Sequence, residues 1–334
     1  MRSLLALTLA LALSAGAAAA EPVRKIVVAA PEGSPWADGL LALTRRTAER
    51  TQGRLKVRAV VGGAAGDEVD TARACAEGRL FAWAGSAGGF ARQVPELAAL
   101  ELPFLFEHEA EVDAVLRVSP IAPLGRIFER AGFVLVPMLS EVGWRSFAGR
   151  KALRTPADFR GLRVRSQESA MHLAMWRALG AEPRAISVLE TLSALQAGVV
   201  EAFDQSPVYM FATSWYQHAR VYTLSRHMYQ PGIVVFCKGA LTSLSPGDRR
   251  IALELAAAEL QLALTRVRAL EKQVLAQLAA EGLQLLELTA SERAALRQRT
   301  RPVFDQFRAS TSPLGRELLG ALERAIEAHR KGLR

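Results

Sequence analysis

The chain has 334 residues, half of them apolar, with 42 Lys and Arg against 33 Asp and Glu. That length and apolar share allow two lobes of ordinary size around a substantial core. After the N-terminus no stretch reaches about 18 uninterrupted apolar residues, which excludes a membrane-spanning helix. The net charge of +9 raises the question of nucleic acid, but the Arg residues are scattered, often on helices beside Glu. They read as a solvated surface.

Residues 1–20 are set apart from the fold. Arg2 supplies a positive start, Leu4 to Leu13 (LLALTLALAL) an apolar core, and Ala18-Ala19-Ala20 small residues ahead of Glu21. This is the pattern of a cleaved secretory signal, its apolar core too short to cross a bilayer. No Cys follows for a lipid anchor, and no twin Arg precedes it. The mature protein is expected outside the cytoplasm, in the periplasm, with no nucleic-acid partner and no insertion into the membrane.

The mature chain opens with alternating elements. Lys25 to Ala30 (KIVVAA) is a continuous apolar run, as expected of a strand covered on both faces. Ser34-Pro35 then pairs an N-cap with Pro at the first helical position, opening a helix to about Gln52 that Gly53 closes. Leu55 to Val61 is a second strand, Asp67 to Gly78 a helix, and Leu80 to Ala84 a third strand. A comparable unit follows Phe133 to Leu139. Thr155-Pro156-Ala157-Asp158 caps a short helix, Leu162 to Val164 is a strand, and Glu168 to Leu179 is a helix ending at Gly180. Ser187-Val188-Leu189-Glu190 has the form of a capping box, and its helix runs to Ala197. Short strands are expected at Val199 to Phe203, Val221 to Leu224 and Ile233 to Phe236. Alternation of this kind argues for open α/β sheets, whose ligands sit at the carboxyl ends of the strands.

The last third differs in kind. Ser245-Pro246-Gly247-Asp248 opens a helix that meets no breaker until Gly282, roughly 50 Å at 1.5 Å per residue. Leu260, Leu264, Val267, Leu270, Val274 and Leu278 make one apolar stripe along it. The stripe is plain core, but the length lets the helix cross two lobes as a spine. Helices capped by Thr289 with Glu292, and by Ser312-Pro313, finish the chain.

Cys75 and Cys237 are the two cysteines. In an oxidising compartment they can pair or remain buried free thiols, and the second reading is preferred. No HExxH or Cys/His spacing marks a metal site. Ala84-Gly85-Ser86-Ala87-Gly88 resembles a nucleophile elbow, but its first Gly is Ala and no Asp-then-His order follows. It reads instead as a small-residue turn that lets a ligand approach the backbone. Phosphate-binding glycine motifs and the SxxK motif are missing from the sequence.

What remains suits binding. Arg165 ends the strand Leu162 to Val164, where an open sheet presents its ligand, and a guanidinium fork matches a carboxylate. Arg145 lies 20 residues earlier, in another loop or strand end. Burying two Arg side chains in a cleft is costly unless an anion satisfies them. Trp36, Trp83, Phe106, Trp144, Tyr209 and Tyr229 stand near predicted loops and strand ends, where they can line a cleft or fill the core.

Four blocks, in order and correctly spaced, then carry a resemblance. They are Glu49 to Val57 (ERTQGRLKV), Pro95 to Phe106 (PELAALELPFLF), Thr155 to Arg165 (TPADFRGLRVR) and Leu192 to Asp204 (LSALQAGVVEAFD). With the long helix after Leu244-Ser245-Pro246, the chain resembles the DctP-type substrate-binding proteins of TRAP (tripartite ATP-independent periplasmic) transporters over nearly its whole mature length. The resemblance implies an α/β, two-lobed periplasmic binding protein of type II-like form, with open mixed sheets, hinge strands and a long spine helix. Lobe I is expected at residues 21–142 plus about 231–272, and lobe II at 143–230 plus about 273–334, the helix 246–281 spanning both. It implies Arg165 as the main partner of a substrate carboxylate, Arg145 as its support, and Asp204 or Gln205 as the residue that orients the ligand. The Asp is alternatively a holder of a cation that enters with the ligand; no other cofactor is implied.

The sequence departs from the family pattern in two places. Gly85, Ser86 and Gly88 stand where sialic-acid binders carry charge, which with Trp83 gives an uncharged, partly aromatic wall and points to a less polar organic acid. The usual Pro after the motif Arg is Ser166, and Gln167 and Glu168 follow as further polar groups for the ligand or for the next helix. The expected function is a non-enzymatic receptor delivering a small carboxylate to the two membrane subunits of a transporter. The alternatives are a ligand-presenting partner of a membrane sensor and, less favoured, a periplasmic serine hydrolase using Ser86.

Overall fold

The computed structural model describes residues 23–118 and 122–332. The signal segment at 1–20 lies outside the described residues. Strand β1 (Arg24–Val28) leads into α1 (Pro35–Arg50), where the Ser34 hydroxyl accepts from the Ala37 amide and Pro35 stands in the first turn, as the sequence predicts. Then come β2 (Val57–Val60), α2 (Glu68–Ala76) capped by Asp67, β3 (Ala82–Ser86) and the short α3 (Ala87–Phe90). A 3-10 turn at Pro95–Glu101, α4 (Glu109–Asp113), α5 (Ala122–Arg130) and β4 (Val134–Leu135) lead to β5 (Ser140–Gly149).

The second unit contains β6 (Arg163–Ser166), α6 (Ala170–Leu179), β7 (Glu182–Ala185), α7 (Val188–Gln196), β8 (Ala202–Gln205) and α8 (Pro207–Ala212). Strand β9 (Val221–Phe236) follows. The two strands expected at 221–224 and 233–236 are its two ends, because the residues between them, 228–232 paired with β5, continue the strand. The chain closes with α9 (Pro246–Ala280), β10 (Gln284–Glu287), α10 (Ala290–Thr300), α11 (Pro302–Ser310) and α12 (Pro313–Gly332).

The strand order is β2-β1-β3-β9-β5-β8-β6-β7, with β4 and β10 also paired to β9. Parallel β2, β1 and β3 form one wing; parallel β8, β6 and β7 form the other. The two long antiparallel strands β5 and β9 run through both wings and join them. Their pairing is interrupted by bulges at Glu141/Gly143 and Arg145/Phe147. A bulge bends and twists a strand pair, so the fold is two-lobed with its bend built into β5 and β9.

Helix α9 is the spine. Its first half (Ala252, Leu255, Ala256, Leu260) packs in the core beside α1 and β1, and its second half (Val267, Val274, Leu278) packs in the core beside β8 and α8. Arg268, at its middle, pairs with Asp113 at 2.8 Å and Glu141 at 3.1 Å, tying the helix to α4 and β5. Helices α10 and α11 pack on α6, whereas α12 packs on α5 and on the 95–101 turn. Helix α12 thus lies against elements that precede β5.

Cys75 and Cys237 form a disulfide between α2 and the residue after β9. The preferred expectation of free thiols is thus overturned. Antiparallel pairing of β3 with β9 brings position 237 beneath α2, an adjacency that a sequence separation of 162 residues conceals.

Candidate functional site

Arg145 lies in the middle of β5, not in a loop, and is fully buried. Its Nε donates to Asp204 Oδ2 at 2.6 Å and its Nη2 to the Asp204 carbonyl at 2.6 Å, while Nη1 reaches Gln205 Oε1 at 3.1 Å and Gln230 Oε1 at 2.8 Å. Burial penalises the Asp204 carboxylate, but Arg145 and His227 outweigh that and hold it well below the usual range. His227 stacks flat on Phe147 at 3.9 Å, and burial drives its pKa down to about 4. Asp204 and Gln205, expected to orient a ligand, are turned instead toward Arg145, with Asp204 Oδ1 left without a partner. A cation buried with a carboxylate and further acceptors is satisfied from within.

Arg165, on β6, is equally buried at 1% exposure but is supplied differently. Nε donates to the Ile186 carbonyl at 3.0 Å, the guanidinium lies 5.0 Å from the Trp215 ring centre, and Nη1 has no hydrogen-bond partner. No carboxylate forms an ion pair with it among the described residues. Burial, reinforced by Arg145, lowers its pKa to about 10, so it remains charged at neutral pH.

The opposite wall is the turn Ser86 to Gly89, and it is not uncharged. Ser86 accepts from the Gly89 amide and from Gln167 Nε2 at 2.9 Å, and it donates to Glu68 Oε2 at 2.8 Å. Glu68 Oε1 also accepts from the Ser86 amide at 2.8 Å, and burial pushes the Glu68 carboxyl up to about 7. A Cβ at Gly85 or Gly89 would collide with this carboxyl, and one at Gly88 with that of Glu101. The glycines make room for two protein carboxyls rather than for a ligand. Glu101 in turn accepts from the Gly88 amide at 2.6 Å, from His172 Nε2 at 2.6 Å and from Gln230 Nε2 at 3.2 Å.

The two wings touch here. Gln167 bridges Ser86 and Gln230, and the Val188 amide donates to Asp67 Oδ2 at 3.1 Å. Between them lies a small space lined by Asp67, Glu68, Gly88, Gly89, Arg165, Gln167 and Glu168. Tyr209, on α8, packs on Trp36 at 5.3 Å and faces an adjoining space that also borders Glu68 and Gly85.

Two aromatic expectations are corrected. Trp83 is fully buried against Phe90, its Nε1 donating to Thr71, because β3 turns that side chain toward the α2 face. Tyr229 packs on Trp144 and Phe106, its hydroxyl donating to Glu141 at 3.0 Å. Both belong to the core. The Ser86 hydroxyl is hydrogen-bonded to the Glu68 carboxyl, the Gly89 amide and Gln167, while His172 and His227 pair elsewhere. Among the described residues no group of three or more His, Cys, Asp or Glu is placed to hold a metal ion, and no helix is long and apolar enough to cross a membrane.

Glu68, Glu101, His172 and Gln230 were not anticipated. The signal for the first two was present in Gly85, Gly88 and Gly89, three bare positions that imply a close neighbour without naming it.

The family model for bacterial extracellular solute-binding protein, family 7 (DctP), matches residues 26–311. The chain belongs to this family. A solute-binding protein of Verminephrobacter eiseniae is 28% identical over 271 residues, 81% of each chain. The C4-dicarboxylate-binding periplasmic protein DctP of Rhodobacter capsulatus is 29% identical over 234 residues, 70% of this chain and 69% of that one. A TRAP periplasmic solute-binding protein from Ralstonia eutropha H16 with bound (S)-2-acetolactate superposes with a TM-score of 0.85 at 25% identity, covering 91% of this chain and 98% of that one. Family membership and this superposition agree with the two-lobed α/β architecture built around β5, β9 and α9.

Proposed function

We propose that the protein is the extracytoplasmic receptor of a TRAP transporter. It closes over a small organic acid, grips its carboxylate with Arg165, and delivers it to two integral membrane subunits. The observation that carries this reading is the free Nη1 of a guanidinium buried to 1% exposure. A buried cation lacking an anion is costly unless a partner arrives, and a carboxylate fits the open fork. Gln167 and Glu68 face the same crevice and supply the remaining polar contacts, while Arg145 holds the floor rigid. The acids named for the family relatives support a carboxylate as ligand.

In this reading the first 20 residues direct export and the mature protein works in the periplasm as a carrier without catalysis, cofactor or metal. Lobe I comprises residues 21–142, 231–272 and, because α12 packs there, 313–332; lobe II comprises 143–230 and 273–310. Closure needs only that the ligand bind the closed form better than the open one.

A thermal-shift screen of the purified protein against small organic acids identifies ligands, since binding to the folded state raises its melting temperature. Calorimetry then compares wild type with Arg165→Ala, which is expected to weaken binding by about 2–5 kcal/mol. Unchanged affinity in that variant removes Arg165 from the role.

A further inference from the structure

The space beside Arg165 adjoins a second one across Glu68, which lines both. This second space lies between α1 and α9 on one side and the ends of β1, β3 and β9 on the other. Its walls are chiefly apolar, with Val28, Leu40, Val142 and Ile233 each at most 7% exposed. Trp36 contributes a ring whose Nε1 is already donating to the Glu141 carbonyl at 2.8 Å. Of its polar side chains, Glu68 is bonded to Ser86 and Glu259 to Arg46 through Oε1, which leaves Glu259 Oε2 and the hydroxyls of Ser140 and Tyr209. Trp36 belongs to the first lobe and Tyr209 to the second, and the two rings pack on each other at 5.3 Å, so a body lying against the pair touches both lobes.

We infer that this space is the apolar half of the binding chamber, and that the ligand is an amphipathic monocarboxylate with a branched aliphatic or aromatic body. The inference rests on the receptor reading above and adds the class of acid. The carboxylate meets Arg165 and the body passes Glu68 to lie against Trp36, Leu40 and Tyr209. A polyhydroxy acid brings several hydroxyls to a wall that matches few of them, and buried hydroxyls without partners are penalised. Each methylene buried there instead strengthens binding by about fourfold.

The test uses calorimetry with pyruvate, 4-methyl-2-oxopentanoate, phenylpyruvate and a hexuronate, on wild type, Arg165→Ala and Gly39→Leu. Gly39 lies on α1 facing the chamber, and a Cβ there meets only Ala263 Cβ at 3.9 Å, so a larger side chain grows into the space. The branched or the aromatic acid is expected to bind at least tenfold more tightly than the hexuronate. Gly39→Leu is expected to weaken that acid tenfold or more and pyruvate less than twofold. Should Gly39→Leu fail to fold, the wild-type ranking of pyruvate, the branched acid and the hexuronate decides alone. A hexuronate that binds as tightly as either larger acid, and depends on Arg165, overturns the apolar chamber and leaves the receptor reading intact. Absence of Arg165-dependent binding by every acid overturns the receptor reading itself.

Discussion

Arg145 and Arg165 occupy neighbouring regions of one sheet, both at most 1% exposed, yet they stand in opposite electrostatic situations. The Arg145 region is closed on itself: Asp204 faces the guanidinium, and Gln205 and Gln230 complete its donors. The Arg165 region offers one carbonyl, one indole face and an unmatched Nη1. Burial of a charge therefore does not by itself mark a binding residue; the destination of its donors does. The first arrangement satisfies a buried charge at the bulged strands, and the second leaves a guanidinium nitrogen unmatched, the feature on which the proposed carboxylate grip rests.

That contrast breaks or sharpens under mutation. Arg145→Met leaves Asp204 as an uncompensated buried charge and is expected to cost about 3–5 kcal/mol of stability, read from urea unfolding; adding Asp204→Leu removes the orphaned charge and recovers part of it. A loss below about 1 kcal/mol in the single variant would show that the pair is not what holds β5. Arg165→Ala orphans no carboxylate, so the ligand-free protein is expected to keep its melting temperature or raise it while losing affinity. Equal destabilisation by the two variants would erase the distinction.

A third effect belongs to the Arg145 region alone. His227 has its pKa lowered from 6.5 to about 4 by burial, so the native state binds fewer protons than the unfolded chain between those values. Stability is therefore present above about pH 6.5 and is lost as pH falls toward 4, by up to about 3 kcal/mol. The depressed Asp204 adds to the loss only at still lower pH. Because the raised carboxyls of Glu68 and Glu271 act in the opposite direction over this range, the test compares unfolding midpoints of wild type and His227→Gln from pH 7 to pH 4; parallel profiles would mean that His227 protonates freely in the folded protein.

The elements were legible where local chemistry decides them. Ser34-Pro35, the Thr289-Glu292 box and the Gly180 stop each appear where the sequence puts them, because caps depend on residues within a turn. The spine helix was legible from the absence of breakers. Strand β9 was not, since 225–231 includes Ser225, Gln230 and Pro231, polar or ring-locked residues that fall between the two expected strands but are buried. The site divided in the same way. The strand-end position of Arg165 is legible in the sequence, whereas nothing local reveals that the β5–β8 pairing delivers Arg145 to Asp204 and Gln205.

The smallest expected effect comes from the wall facing Arg165. The Glu68 carboxyl, raised from 4.5 to about 7 by burial, is neutral below that pH and ionised above it. Its raised pKa means the native state holds a proton the unfolded chain releases, so this group's contribution to stability falls as pH rises from 4.5 to 7. Ligand binding follows the same direction. An ionised Glu68 adds a second negative charge near the bound carboxylate, so affinity is expected to fall about three- to tenfold between pH 6 and 8.5, with proton uptake on binding detectable in buffers of different ionisation heat. Arg165, at about 10, stays charged throughout and does not supply the slope. The other groups around Glu68 are Asp67, Glu101, Ser86 and Tyr209, and Glu168, raised chiefly by burial, lines the same crevice. Glu68→Gln is expected to flatten the profile and Glu168→Gln to leave it. The reverse result would move the titrating group from the glycine-walled seat to the second lobe.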